Sequence, residues 1–317
     1  MRTFLRRTLK TLGILLGVVV LLLGTSTVVH QVSLANEAAN PPSYGQFVDV
    51  DGKQMNAVVT GAGDETVVLI PGFGTAAPAL DFDPLITELA TDMRVIALEP
   101  LGFGLSDPAD TPRTAENIVA EMHEAVAQLG VERYALVGHS IGGIYALEWA
   151  ETFGEELTAF VGIDSSVPGQ ANMDTSFPTG LMRAASVTGL TRIATALGDG
   201  LDGTPYSDEI RAQMSTLSIK NSFSPTYLDE MEHISSNFQN ALGRSFPRDL
   251  PVLLFVQEQD NPAQKDWQQL HTEQAASVAF GEVVLLDGEH YLHHTHSPEI
   301  AAGARDFFAE MPRREAD

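Results

Sequence analysis

Tyr134-Ala135-Leu136-Val137-Gly138-His139-Ser140-Ile141-Gly142-Gly143 reads as a strand that turns through G-x-S-x-G into an apolar helix, Ile144 to Ala150. The apolar run before the turn is short enough for a buried strand, and the glycines flanking the serine, Gly138 and Gly142, permit a backbone too tight for side chains. A hydroxyl at such a bend is lifted clear of the sheet and faces the first N–H groups of the following helix, where developing negative charge is favoured. Ser140 is therefore the candidate nucleophile.

Outward from this turn, short apolar runs alternate with helical segments. The runs span 66–70, 94–99, 134–137, 159–163, 252–256 and 283–286. An opening hairpin over 47–50 and 55–59 turns at Asp51-Gly52, a strong turn dipeptide. Between runs, Ile118, Met122, Val126 and Leu129 recur at helical spacing before a stop at Gly130. This βαβα order predicts an α/β protein with a mostly parallel sheet covered on both faces. From about 168 to 248 the rhythm breaks and only helix-like stretches rich in Met, Leu and Phe appear, which predicts an inserted helical cap.

The sequence carries 18 Lys+Arg against 42 Asp+Glu, a net charge of -24, which repels phosphate backbones and argues against nucleic acid as a partner. It contains no cysteine, which excludes disulfides, Cys-ligated zinc, iron–sulfur clusters and a thiol nucleophile. At the N-terminus, Arg2, Arg6, Arg7 and Lys10 precede the uncharged stretch Thr11 to Val29, TLGILLGVVVLLLGTSTVV, and no Lys or Arg follows until Lys53. That stretch approaches the ~20 residues needed to cross a bilayer. The expected organisation is a cytoplasmic basic segment over 1–10, a single-pass signal anchor over 11–29, a linker over 30–43 and an extracytoplasmic body over 44–317. Small residues within 33–39 leave cleavage and secretion as the alternative.

The body resembles the α/β-hydrolase superfamily over nearly all of 44–308. Besides the serine turn, Pro71-Gly72-Phe73-Gly74 follows the strand VVLI where that family has His-Gly-x. The resemblance thus assigns the backbone N–H groups of Phe73 and Ile141 to an oxyanion hole, donors that cost roughly 3 to 4 kcal/mol each when removed singly in comparable sites. Pro71 departs from the family histidine but spares backbone donors. Glu99-Pro100-Leu101-Gly102-Phe103-Gly104-Leu105-Ser106-Asp107 is similar to the family's D-x-x-G-x-G-x-S-D loop and reads as scaffold; as a dinucleotide fingerprint it fails, because Asp107 occupies the third glycine position.

A serine hydroxyl needs a base and an orienting carboxylate, in chain order Ser, acid, His in this family. Gly288-Glu289-His290, after the strand EVVLLD, resembles the family's G-x-H terminus, making His290 the expected base. Asp260, in Gln257-Glu258-Gln259-Asp260 after PVLLFV, stands where the family places its acid, with Gln257 replacing the usual glycine; Glu258 and Asp164 are the alternatives. His293, His294 and His296 crowd behind His290, but Tyr291 occupies the place where H-E-x-x-H needs its Glu. They are expected as polar loop or helix-start residues, with no metal and no cofactor. Haloalkane dehalogenases and epoxide hydrolases carry Asp at this turn, so the resemblance implies acyl transfer at serine, with a carboxylic ester as the expected substrate. An amide, a thioester or an alcohol acceptor would use the same residues, and a non-catalytic ligand-binding homologue would keep the same scaffold. Apolar residues in the cap, among them Leu181, Met182, Leu190, Ile193, Phe223 and Tyr227, favour an apolar acyl group. The acyl substrate and the membrane are the expected partners, and oligomeric state is not legible.

Overall fold

The structure, a computed structural model, describes residues 2–198, 201, 203–258 and 266–314. Eight strands form one sheet in the order β1-β2-β4-β3-β5-β6-β7-β8. They are β1 (Gln46–Val50), β2 (Lys53–Thr60), β3 (Thr66–Ile70), β4 (Arg94–Glu99), β5 (Tyr134–His139), β6 (Leu157–Ile163), β7 (Val252–Gln257) and β8 (Gly281–Leu286). The hairpin β1–β2 is antiparallel and turns at Asp51-Gly52; β2 joins β4 antiparallel, and every pairing from β4 onward is parallel. The described α-helices are α1 (Arg2–Ala39), α2 (Pro78–Asp81), α3 (Asp83–Leu89), α4 (Ala115–Gln128), α5 (Gly142–Thr152), α6 (Thr179–Val187), α7 (Leu190–Leu197), α8 (Asp208–Asn221), α9 (Pro225–Ala241), α10 (Trp267–Ala276), α11 (Leu292–Thr295) and α12 (Ser297–Glu310). This is the α/β-hydrolase fold.

The alternation of side chains along the strands feeds two separate cores. Val68 and Ile70 of β3 pack with Ile118 and Met122 of α4 and Ile144 and Trp149 of α5, while Val67 and Leu69 face Leu85 and Leu89 of α3 and Ile300 and Phe307 of α12. Both faces being covered, the central strands are apolar throughout rather than alternating, the pattern of a buried parallel sheet. Glu99 ends β4 fully buried and accepts from the Tyr44 hydroxyl (2.8 Å), the Asn56 amide (2.9 Å) and the Leu105 N–H (2.7 Å). Burial raises its pKa, and these donors oppose that shift. It ties the following glycine-rich loop to β2.

Among the described residues, four helices, α6 to α9, fill the interval between β6 and β7. The later two are bolted to the body by buried polar groups. Asn237 of α9 accepts from the Ala115 N–H (2.9 Å) and donates to the Arg113 carbonyl (3.2 Å), and Tyr145 of α5 donates to Glu230 of α9 (2.7 Å). Asn221 of α8 donates to the carbonyls of Ala76 and Gly104, each at 2.9 Å. The earlier two helices, α6 and α7, contain no fully buried side chain.

Helix α1 is long and apolar enough to cross a membrane, as a signal sequence also is, and its Leu and Val residues from Leu5 to Leu22 are exposed. It does not stop at Val29. The segment expected as linker continues the helix to Ala39, because nothing from 30 to 39 breaks it, and it ends immediately before Pro41-Pro42, whose first proline disfavours helix at the residue before it.

Because Asn237 satisfies both a helix-start N–H and a buried carbonyl, Asn237→Ala should lower the free energy of unfolding by about 1 to 3 kcal/mol, read as a shift of the urea midpoint at unchanged slope.

Candidate active site

Strand β5 delivers Ser140 in a left-handed backbone conformation, φ +52°, which a non-glycine residue adopts only where the surroundings enforce it. The turn is held by the Ser166 N–H donating to the Ser140 carbonyl (2.6 Å) and the Gly143 N–H donating to the same oxygen (3.0 Å). Position 143 has to be glycine: a Cβ there would lie 2.3 Å from the Ser166 carbonyl oxygen. Local sequence thus builds the bend, and the neighbouring strand end locks it.

The Ser140 Oγ lies 3.0 Å from His290 Nε2, and His290 Nδ1 lies 2.6 Å from the Asp164 Oδ2. Asp164 is wholly buried at the end of β6 and is also left-handed, φ +41°. Its Oδ1 accepts from the Gln257 N–H (3.1 Å) and the Trp267 Nε1–H (2.8 Å), and its Oδ2 accepts from the Gln257 side-chain amide (2.8 Å). Among the described residues, the carboxylate facing His290 is that of Asp164, which follows β6. Asp260, the expected acid, lies outside the described residues, and Glu258 is exposed, with its N–H bonded to Leu286. Gln257 explains the placement. Where the family has glycine, this chain puts a side chain that reaches Asp164 together with its own backbone N–H.

Phe73 and Ile141 stand at the two loops beside Ser140, and among the described residues their N–H groups donate to no protein acceptor. Tyr227 from α9 roofs this corner, its ring 4.8 Å from Phe73 and 5.4 Å from Phe223. A pocket of about 270 Å³ opens alongside, bounded by Gly74, Thr75, Met214, Tyr291 and His294.

Behind the site, the histidines expected as polar loop or helix-start residues do more than face solvent. His293 is fully buried on α11, and His293 Nε2 and His294 Nε2 each lie 2.8 Å from an oxygen of Asp81, which ends α2. Burial opposes ionisation of Asp81, yet the two imidazoles outweigh it and hold that carboxyl well below the usual range; burial in turn lowers the pKa of His293. These three are the set of described residues that bring three metal-ligating atoms within 4.8 Å of one another, with those atoms engaged in mutual hydrogen bonds. Their evident work is to pin α11, which directly follows His290, to α2. Sequence spacing did not reveal this clamp, because Asp81 is more than two hundred positions away from the histidines.

His139, next to Ser140, is buried and sets its Nε2 3.1 Å from the His290 carbonyl. Burial, reinforced by His293 and His290, pushes its pKa well below 6.5, so it is neutral and donates Nε2–H to that carbonyl. A second strap thus holds the loop that bears His290.

Residues 67–303 match the alpha/beta hydrolase family, and the chain belongs to that family. Over 166 residues it is 32% identical to the uncharacterized protein YbdG of Bacillus subtilis, covering 52% of this chain and 51% of that protein. Over 99 residues it is 30% identical to the putative carbamate hydrolase RutD of Escherichia coli, covering 31% of this chain and 36% of that one. The chain thus matches about half or less of the length of these relatives. Among solved structures it is similar to an epoxide hydrolase from Vigna radiata, with a TM-score of 0.65 at 18% identity over 84% of this chain and 97% of that one. It is also similar to the enol-lactonase from Burkholderia xenovorans, with a TM-score of 0.58 at 19% identity over 84% of this chain and all of that one. At such identities these similarities speak for the fold.

The neutral His139 has a consequence for acid stability. Below about pH 6.5 the unfolded chain binds a proton at this residue that the native state refuses, so native stability falls as pH falls. Replacing His139 by Phe should flatten the dependence of unfolding free energy on pH between about 6.5 and 5 by up to about 1.4 kcal/mol per unit. Equal slopes for the two chains in urea denaturation would refute this reading.

Proposed function

We propose that this hydrolase cleaves carboxylic esters through an acyl-enzyme on Ser140, and that α1 holds it at a membrane with the catalytic body on the extracytoplasmic side. The observation that carries the chemistry is the unbroken hydrogen-bonded chain from Ser140 Oγ through His290 to the buried Asp164. A serine hydroxyl is a poor nucleophile at neutral pH, and this arrangement supplies what it lacks.

In the proposed cycle, Ser140 Oγ attacks the ester carbonyl carbon while its proton passes to His290 Nε2. Asp164 fixes His290 with Nδ1 protonated and stabilises the imidazolium that forms. The carbonyl oxygen, now an oxyanion, takes hydrogen bonds from the N–H groups of Phe73 and Ile141. Collapse of the tetrahedral intermediate breaks the ester C–O bond, and the leaving alkoxide collects the proton from Nε2. Water then attacks the acyl-enzyme, giving its proton to the same nitrogen, and release of the carboxylic acid returns the proton to Ser140. Neither metal nor cofactor enters these steps. The serine at the turn separates this chemistry from that of an aspartate nucleophile, and the enol-lactonase among the similar folds is named for hydrolysis of a cyclic ester. The Phe73, Tyr227 and Phe223 rings, clustered over the loop that carries Phe73, favour an apolar acyl group.

Ser140→Ala should abolish labelling by a fluorophosphonate probe and hydrolysis across a panel of p-nitrophenyl esters of graded acyl length, while a surface serine variant retains both. Asp164→Asn should lower kcat by roughly 10³- to 10⁴-fold through the wrong imidazole tautomer, whereas Asp260→Asn should leave it within a few-fold. The reverse ranking would transfer the acid's role to Asp260.

A further inference from the structure

The cap has two halves of different character. Helices α8 and α9 are fastened to the body, whereas α6 and α7 expose Leu181 (72%), Val187 (51%), Leu190 (43%), Ile193 (48%) and Leu197 (86%). Such a concentration of exposed apolar side chains on two short helices marks a surface that meets something other than water. Its charge is as unusual as its exposure. No acidic residue occurs from Thr175 to Gly198, in a chain with 42 Asp and Glu among 317 residues, and the two charges within it are Arg183 and Arg192.

Helix α1 packs on this half of the cap. The covered or partly covered positions along its outer part are Leu23, Ser26, Thr27, His30, Ser33, Leu34 and Glu37, a stripe at three- and four-residue spacing that marks one helix face. The contacts are specific. Ser26 Oγ donates to the Thr188 carbonyl at 2.7 Å, and the Arg192 guanidinium makes a two-pronged ion pair with Glu37 at 2.7 and 2.9 Å. His30, 3% exposed, fills a notch at Gly189, where φ is +77° and a Cβ would lie 2.7 Å from the His30 Cβ. Leu23, Ser26 and Thr27 belong to the uncharged apolar stretch 11–29. The corner between α6 and α7 therefore sits level with the last two turns of that stretch, not beyond its end.

We propose that the α6–α7 corner of the cap is a second membrane contact, inserted with Val187, Leu190 and Ile193 into the lipid leaflet on the side of the catalytic body and held at that depth by α1. The proposal rests on the reading of α1 as a membrane-spanning helix. The occupant is a lipid bilayer, because the face is continuous with the spanning helix, lacks acid throughout, and offers Arg183 on its rim to a headgroup phosphate. Seen this way, the Arg192–Glu37 pair and the His30 notch register the cap against the anchor rather than merely tether it.

The absence of cysteine makes a direct test available. Single cysteines placed by Leu190→Cys, Ile193→Cys, Leu12→Cys and Phe47→Cys in the full chain are labelled with a bimane fluorophore and reconstituted in phosphatidylcholine vesicles containing doxyl-labelled lipid. Position 12 reports the span itself, and position 47 lies on an exposed strand of the body. Quenching at 190 and 193 is expected to approach that at 12 and to exceed that at 47 several-fold. Quenching at 12 with 190 and 193 no different from 47 overturns the cap contact while leaving the anchor standing. Absence of quenching at 12 overturns both, and quenching at 190 and 193 without quenching at 12 overturns the docked arrangement. Retained hydrolysis by each labelled chain separates these outcomes from failure of the catalytic assignment.

Discussion

Everything at the candidate site hangs on one buried carboxylate. Asp164 is shut away from solvent at the end of β6, a place where an ionised group survives only if its oxygens are fully used. Four donors converge on it: two from Gln257, the Trp267 indole and His290 Nδ1. Three of them come from β7 and the start of α10 and have no part in any reaction. They hold the carboxylate still, so the fourth can hold the imidazole.

The sheet makes this convergence possible. Strands β5 and β6 are parallel neighbours, and each is followed by a residue in the left-handed region, Ser140 and Asp164, so the two side chains emerge side by side at the same end of the sheet. His290 arrives from the far end of the chain and needs separate fastening. His139 takes its carbonyl, and the Asp81 clamp on His293 and His294 pins the short helix that follows. Rigid elements thus position a loop-borne imidazole from both sides, which suits a group that must keep hydrogen-bond distance to two partners at once.

The cap shows the same division between fastening and freedom. Buried amides and a buried Tyr–Glu pair attach α8 and α9 to the body, and Tyr227 brings an aromatic roof over the loop that carries Phe73. Among the described residues helices α6 and α7 have no such buried roots; they lean on the other cap helices, with Thr179 donating to Glu232 of α9 and Ser186 to the Ser222 carbonyl, and on α1 through Ser26 and Glu37. The cap is thus fastened to the body through α8 and α9 and meets the N-terminal helix through α6 and α7.

Strand positions, the Asp51-Gly52 hairpin turn and the strand–Ser140–helix bend were legible from residue type and spacing, because each depends on interactions between near neighbours or on a period of two or 3.6 residues. The helical character of the interval between β6 and β7 was legible for the same reason. The candidacy of His290 was legible through the resemblance of Gly288-Glu289-His290 to the family's G-x-H terminus. The identity of the carboxylate beside His290 was not, since Asp164 and Asp260 both follow buried strands and only the side-by-side placement of β6 and β7 lets Gln257 and Trp267 gather around Asp164. Nor was the continuation of α1 to Ala39 onto the cap, or the union of Asp81 with His293 and His294. Those are contacts between groups far apart in the chain, and no local pattern encodes which distant partner a buried polar side chain will find.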